Sequence, residues 1–412
     1  MDRSTILTHP PSAAPLLGSL FSSVELFAGA GGLAIGMANA GFHHAAVIEW
    51  NPNACETFRE NQRHHANCVG AWPLYEADVR KFDYGALGNG VVVVSGGPPC
   101  QPFSLGGKHR GQMDERDMFP EAVRAVRELQ PKAFIFENVK GLMRESFSSY
   151  FEYIHLQLTH PSLTRRKGET WNDHRVRLEK HHTSRQVKSE YNVVYRLLNA
   201  ADFGVPQRRE RVFLVGFRSD LGAQWSFPEG TNSEDALLRE KWITGEYWDS
   251  HALTKRNRPL IEQRHASRVE RLKTGDLFED QKSPWLTVRD AIRDLPDPEK
   301  FPSNTTPNHT FNPGARSYAG HTGSPLDEPA KTLKAGDHGV PGGENMLARP
   351  DGSVRYFTVR EAARLQTFPD DFIFRGAWTE AMRQLGNAVP VRLAEAIARS
   401  VAQQLMMMEG SR

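Results

Sequence analysis

The chain has 412 residues, 39% of them hydrophobic, with 51 Lys and Arg against 49 Asp and Glu. That length exceeds what one hydrophobic core supports and predicts two lobes. A net charge of +2 neither requires nor forbids nucleic acid, and any basic binding face has to come from arrangement in space. Three cysteines, Cys55, Cys68 and Cys100, lack any CxxC spacing, which argues against a disulfide framework and suits a reducing cytosol. No apolar run approaches the ~20 residues of a membrane span. Residues 1–23 carry one early arginine and an apolar patch broken by prolines, and read as an exposed N-terminus.

From residue 24 to about 217, short apolar runs alternate with helix-like stretches. The runs lie at 24–27, 45–49, 91–95, 133–137, 193–197 and 212–217, and stretches such as 120–129 are amphipathic at helical spacing. Buried strands alternating with helices predict a doubly wound α/β sheet. Residues 161–189 interrupt the rhythm with eight Lys and Arg against three acids. That insertion is either a solvated surface or a phosphate contact. From about 219 to 350 the chain is rich in Pro, Gly, His and Trp with little periodicity, and predicts a second, loop-rich domain. Regular patterning returns at 356–365 and 391–407. No internal repeat is present.

Residues 24–33 read VELFAGAGGL, a strand entering a glycine-rich turn that opens a helix. Glycines there let backbone amides approach a nucleotide-like ligand, although Ala34 occupies the third glycine position of a dinucleotide fingerprint and a tight structural turn is nearly as good a reading. The next strand ends in Glu49-Trp50, an acid placed for ribose hydroxyls and an aromatic ring placed to stack on a base. Asp78 either accepts from an exocyclic amine or caps a helix.

The segment SGGPPCQPFS at 95–104 follows the 91–94 strand directly. Its glycines and prolines fix an unusual backbone where open α/β sheets place their chemistry, which points to Cys100 as a nucleophile. Cys55 and Cys68 read as inert core thiols. An ordinary thiol is only a few per cent ionised at neutral pH, so the site has to activate it. Glu137 ends the following strand and should meet Cys100 at the same sheet edge, as a proton donor or as a helix cap. In QRRER at 207–211, strand alternation puts Arg209 and Arg211 on one face, as two guanidinium forks for a base carbonyl or phosphate, or as rungs of a salt-bridge ladder.

In this order, the turn at 27–32, Glu49-Trp50, Asp78, Pro-Pro-Cys-Gln at 98–101, Glu137-Asn-Val, the 207–211 block, Thr358-Val-Arg-Glu361 and Gly386-Asn-Ala-Val-Pro390 resemble the DNA cytosine-5 methyltransferase family of bacterial restriction-modification type. The resemblance implies a Rossmann-like domain over 20–218, completed by 375–412, and a smaller target-recognition domain over 219–374. It implies S-adenosylmethionine as donor, held by Phe27, Gly29, Gly31, Gly32, Leu33, Glu49, Trp50, Asp78, Val79, Gly97, Pro99, Phe119, Asn387 and Ala388. Ala388 stands where a serine often follows the asparagine. Cys100 would add to C6 of cytosine, Glu137 would act at N3, and Arg209 with Arg211 would steady the ring; water is a candidate for removing the C5 proton. The target cytosine would be flipped out of double-stranded DNA, with 104–117 closing over it. Gln101, Ser104, Lys331, Lys334 and His338 are candidates for touching DNA, the last three in a loop over 331–343 that is equally readable as structural. A cytoplasmic monomer without a metal, paired with a separately encoded restriction endonuclease, completes the expectation. An RNA cytosine-5 methyltransferase, a nicotinamide dehydrogenase and a non-catalytic DNA-binding relative are the alternatives.

Overall fold

The computed structural model describes residues 21–64, 69–99, 117–184, 188–275, 282–302, 305–335 and 343–410. The chain folds into two compact units, and neither is continuous in sequence. The sheet unit takes the described residues up to Leu198, then Glu210–Pro228 and the chain from Ala394; the second unit takes Asn199–Arg209 and Glu229–Leu393. Residues 199–209 and 375–393 thus cluster with the second unit, whereas 219–228 cluster with the sheet.

Seven strands make the sheet: β1 (Phe21–Leu26), β2 (Phe42–Glu49), β3 (Leu74–Glu76), β4 (Val93–Gly96), β5 (Ala133–Val139), β6 (Tyr191–Asn199) and β7 (Glu210–Arg218). Their order is β3-β2-β1-β4-β5-β7-β6. The ladders joining β3, β2, β1, β4 and β5 are parallel, and β7 runs antiparallel to β5. β1, β4 and β5 are buried along nearly their whole length, which is why they are continuous apolar runs rather than alternating ones. Helices α1 (Gly32–Asn39), α2 (Pro52–Arg63), α3 (Phe119–Leu129), α4 (Ser148–Thr159) and α5 (Trp171–His182) belong to this unit. α3 buries Phe119, Ala122, Val123, Ala125 and Val126, the stripe of an amphipathic helix, in the core with Phe134 and Phe136 of β5.

α5 lies inside the basic insertion. It begins with a capping box in which Thr170 accepts from the Asp173 amide and Asp173 accepts back from Thr170, a local signal in Thr-x-x-Asp. Arg175 pairs with Glu152 and Glu179, and Arg177 with Glu169, so part of the local positive charge is answered within the fold.

The second unit holds the short strands β8 (Asn232–Ser233), β9 (Ser283–Pro284), β10 (Ser324–Pro325), β11 (Met346–Ala348) and β12 (Val354–Tyr356). Its helices are α6 (Glu234–Arg239), α7 (Glu246–Ser250), α8 (Gln263–Lys273), α9 (Val288–Ile292), α10 (Val359–Leu365) and α11 (Trp378–Asn387); α12 (Val391–Gly410) starts in this unit and passes into the other. The region lacking periodicity therefore contains helices after all. Several of them are only one or two turns long, too short for a period to repeat, and an aromatic cluster of Tyr247, Trp248 and Trp285 supplies much of the burial. Among the described residues no helix is long and apolar enough to cross a membrane.

Candidate active site

The parallel strands of the sheet unit end in register: Leu26 pairs with both Ile48 and Gly96, and Gly96 pairs with Phe136. One sheet edge therefore receives the turn after β1, Glu49 from β2, the loop after β4 and Glu137 from β5. β7 runs the other way, so its start meets the same edge, with Arg211 opposite Val139.

The turn after β1 is built from left-handed backbone. Phe27 has φ 55, Gly29 φ 56 and Gly31 φ 87. A non-glycine residue in that region is held against its own preference, which marks a site where the surroundings dictate the backbone. A Cβ on Gly31 would come within 2.8 Å of the Phe58 ring, whereas one on Gly29 would meet nothing within 4 Å. The turn is closed against the core on one side and open at Gly29 on the other. Gly32 and Leu33 begin α1 and are buried. Glu49 is buried, and its carboxylate accepts from the Gly29 and Asn51 amides, each at 2.7 Å. Trp50, the next residue, is 69% exposed. A buried, oriented acid, an open glycine turn beside it and a bare aromatic ring are groups that could hold a nucleoside.

Asp78 sits as the plainer alternative describes. It caps the 3-10 turn Val79–Lys81 through the Arg80 amide at 3.0 Å, and Arg80's guanidinium grips both of its oxygens, holding its carboxyl below the usual range. Val79 is buried beneath it. Phe119 lies wholly inside the core at the first position of α3.

The loop after β4 is tied down at its root. The Asn138 side chain donates to the Pro98 carbonyl at 2.8 Å, and the Met118 amide donates to Pro99 at 3.1 Å, so the chain leaving at 99 is rejoined at 118. Cys100, Gln101, Ser104 and the rest of the expected closing loop up to 116 lie outside the described residues, as does His338. Glu137 is buried, and Arg211 Nε meets its Oε1 at 2.7 Å. Burial pushes the Arg211 pKa down while the Glu137 carboxylate opposes that shift. A Cβ on Gly97 would stand 3.3 Å from Glu137 Oε2, so the glycine keeps the approach to that oxygen narrow and clear.

The expectation that Arg209 and Arg211 share a face is corrected. β7 begins at Glu210, so strand alternation does not reach Arg209. Arg209 belongs to the second unit, is fully buried, and donates to the carbonyls of Leu333 at 3.0 Å, Gly386 at 2.6 Å and Ala388 at 3.0 Å. It is a clamp between backbone segments, whereas Arg211 pairs with Glu137. Asn387 and Ala388 lie in that second unit, at the C-terminus of α11. Asn387 is exposed and Ala388 is buried with its carbonyl on Arg209. Lys331 donates to Thr322 at 2.9 Å, and Lys334 pairs with Glu344 at 2.6 Å; both are exposed.

Residue-type reasoning assigned no role to Asn138 or to Glu25. Glu25 is buried in β1 and hydrogen-bonded by Ser95 of β4, which pairs with it in register. An acid inside an apolar run is the signal that marks it.

Sheet order, strand directions and the composition of the edge define a Rossmann-like methyltransferase fold. Solved structures agree: the S. pombe Dnmt2 methyltransferase superposes with a TM-score of 0.53 at 16% identity over 94% of this chain and 99% of its own. The Entamoeba histolytica methyltransferase EhMeth does so with a TM-score of 0.52 at 12% identity, over 93% and 98%. In sequence, the type II methyltransferase M.NgoMIV of Neisseria gonorrhoeae is 31% identical over 93% of this chain and 98% of its own length. M.Eco47II of Escherichia coli, also a type II methyltransferase, is 30% identical over 96% and 82%. The family model described as C-5 cytosine-specific DNA methylase matches residues 21–160 and 171–403. The chain belongs to that family and is a DNA (cytosine-5-)-methyltransferase.

Proposed function

We propose that the protein methylates C5 of a cytosine turned out of a specific double-stranded DNA site, through a transient bond from Cys100 to C6, as the modifying partner of a restriction endonuclease. The buried Glu137–Arg211 pair carries this reading, because it stands at the sheet edge where the tied root of the Pro-Pro-Cys loop emerges.

Cytosine C5 is a poor nucleophile. The Cys100 sulfur adds to C6 while Glu137 hydrogen-bonds or protonates N3, which places enamine electron density on C5. Arg211 orients Glu137 and supplies positive charge next to the ring. S-adenosylmethionine, when bound, supplies the electrophilic methyl group. After C5 is alkylated, loss of its proton to a base, for which water suffices, restores the double bond and expels the Cys100 thiolate.

The donor fits the groups around the turn after β1. Phe27, Gly29, Gly31, Gly32 and Leu33 would line its glycine turn, Glu49 would take the ribose hydroxyls, Trp50 would stack on the adenine, and Asp78 with Val79 would lie at the base's edge. Gly97, Pro99 and Phe119 would wall the reacting side, and Asn387 and Ala388 are further candidates for holding the donor. The second unit would read the DNA sequence, with Lys331, Lys334 and His338 among its contacts, while Gln101 and Ser104 would close on the flipped base. Arg209 takes no chemical part in this reading and holds the second unit's backbone.

Expression in a bacterial host lacking cytosine methylation, followed by bisulfite sequencing, tests the reading. Protection of one cytosine in one short repeated motif, abolished by Cys100→Ala, is expected. Uniform conversion with folded protein present would overturn it, and methylcytosine found in the host's RNA instead would redirect the substrate assignment.

A further inference from the structure

The stretch between α4 and β6 is not used by the active site. Trp171 at the start of α5 packs against Tyr150 and Tyr153 of α4, with ring centroids 6.2 and 5.8 Å apart, and His182 at the end of α5 meets His160 just beyond α4. The two helices thus run side by side in the same direction and finish together. Each helix presents the negative end of its dipole there, which favours a cation.

Three imidazoles collect at that point. His160 is the residue after α4, and His181 and His182 close α5. His160 is 1% exposed, and its Nε2 lies 3.0 Å from His182 Nδ1. The His181 ring stands edge-on to the His160 ring with centroids 4.9 Å apart. The Nδ1 atom of His160 is buried without a hydrogen-bond partner among the described residues.

We propose that His160 and His182, with His181 beside them, form a binding site for a late first-row divalent transition metal ion such as Zn²⁺ or Ni²⁺, which staples α5 onto α4. Two nitrogens bound at ~2.0–2.1 Å to one ion stand roughly 2.9–3.4 Å apart across square or tetrahedral angles, and the observed pair already has that spacing. Neutral imidazoles select this class of metal over hard cations. In the free protein only one of the facing nitrogens donates to the other; on binding, that ring carries its proton on its other nitrogen and both lone pairs face the ion. Burial, reinforced by the two neighbouring imidazoles, pushes the His160 pKa down to about 4, so its lone pair is available at neutral pH. Among the described residues, the group in which three possible ligand atoms lie within 4.8 Å of one another is a rival in the second unit, Glu262, His265 and Glu328, whereas the proposed site rests on the His160–His182 pair. The rival's carboxylates are already held, Glu262 and Glu328 by Arg264 at 2.7 and 2.6 Å and Glu328 by Arg208 at 3.1 Å.

Calorimetric titration of the full chain with Zn²⁺ tests the assignment. His182 is exposed, so His182→Ala should leave the fold intact. One site is expected in the unaltered protein, weakened about tenfold or more (about 1.4 kcal/mol) in His182→Ala and unchanged in His265→Ala. Zn²⁺ should also raise the unfolding temperature of the unaltered protein and not that of His182→Ala. Equal binding by the unaltered protein and His182→Ala, as an ion held by Cys100 would give, overturns the proposal. Loss of the site in His265→Ala, or no stoichiometric binding at all, does the same.

Discussion

At the residue scale, two arginines two positions apart have opposite duties. On the proposed mechanism Arg211 serves the chemistry through Glu137, whereas Arg209 satisfies three backbone carbonyls in the other unit. Arg211→Ala should therefore remain folded while kcat on DNA drops by ~10²–10⁴, the usual worth of a positioned proton-transfer group, and Glu137→Gln should fall into the same range. Arg209→Ala leaves a cavity and three buried acceptors without their donor; each lost partner costs about 1–3 kcal/mol, so the expected defect is in soluble yield and unfolding temperature. An Arg209→Ala protein with normal stability and lost turnover would reverse the two assignments.

Glu25 is a further residue-scale case. Burial raises its pKa to about 8, from 4.5, against the opposing hydrogen bond from Ser95. The folded state therefore holds a proton that the unfolded state releases between those values. The sign follows: this contribution to stability is complete below pH ~4.5 and is lost, by about 1.4 kcal/mol per unit, as pH rises through 8. Glu25→Gln keeps the buried hydrogen-bonding group without the titration. Its stability relative to the parent, measured by denaturant unfolding from pH 5 to 8.5, should rise with pH; a flat difference would show that Glu25 is already ionised in the fold.

At the element scale, α1 and the C-terminal part of α12 touch with no room between them. A Cβ on Gly36 would lie 2.5 Å from Ala394 Cβ and 2.7 Å from the Glu395 amide. Asn39 donates to Glu395 and Arg399 to the Asn39 carbonyl beside that contact. Gly36→Ala must push the helices apart, costing about 1–3 kcal/mol, seen as a lowered unfolding temperature. Gly31→Ala carries two penalties, a positive φ and the Phe58 ring. If the turn holds the donor as proposed, the effect should appear mainly as weaker binding of S-adenosylmethionine, measured by equilibrium dialysis.

At the scale of the whole molecule, the sheet unit is assembled from three separate stretches of chain. Its last stretch, from Ala394 on, seals α1 through Gly36 and reaches Lys132 through Glu409 at 2.6 Å. A chain ended at Leu393 loses the packing of Ala394 and Glu395 on Gly36 and the contacts to Asn39 and Lys132, and is expected to accumulate as insoluble protein. Recovery of a folded, methylating enzyme from such a fragment would show that the seal is dispensable.

The local order of the catalytic half was legible because it rests on neighbours in sequence. The apolar runs at 24–27, 45–49 and 133–137 became strands, and the glycine-rich segment after β1 supplies Gly29 and Gly31 where the turn takes positive φ. The motif order was enough to name the family. Sequence could not decide between two readings of Asp78, because a capping acid and a ligand-holding acid have the same neighbours; the fold shows it bound to Arg80. Nor could it see that strand alternation fails at Arg209, since where β7 begins is set by pairing with β5, seventy positions upstream of it. The helices inside the loop-rich half and the meeting of His160 with His182 also belong to tertiary structure. Spacing along the chain dictates which residues share a face of one element, but partners from different elements are chosen by packing, which only the folded chain specifies.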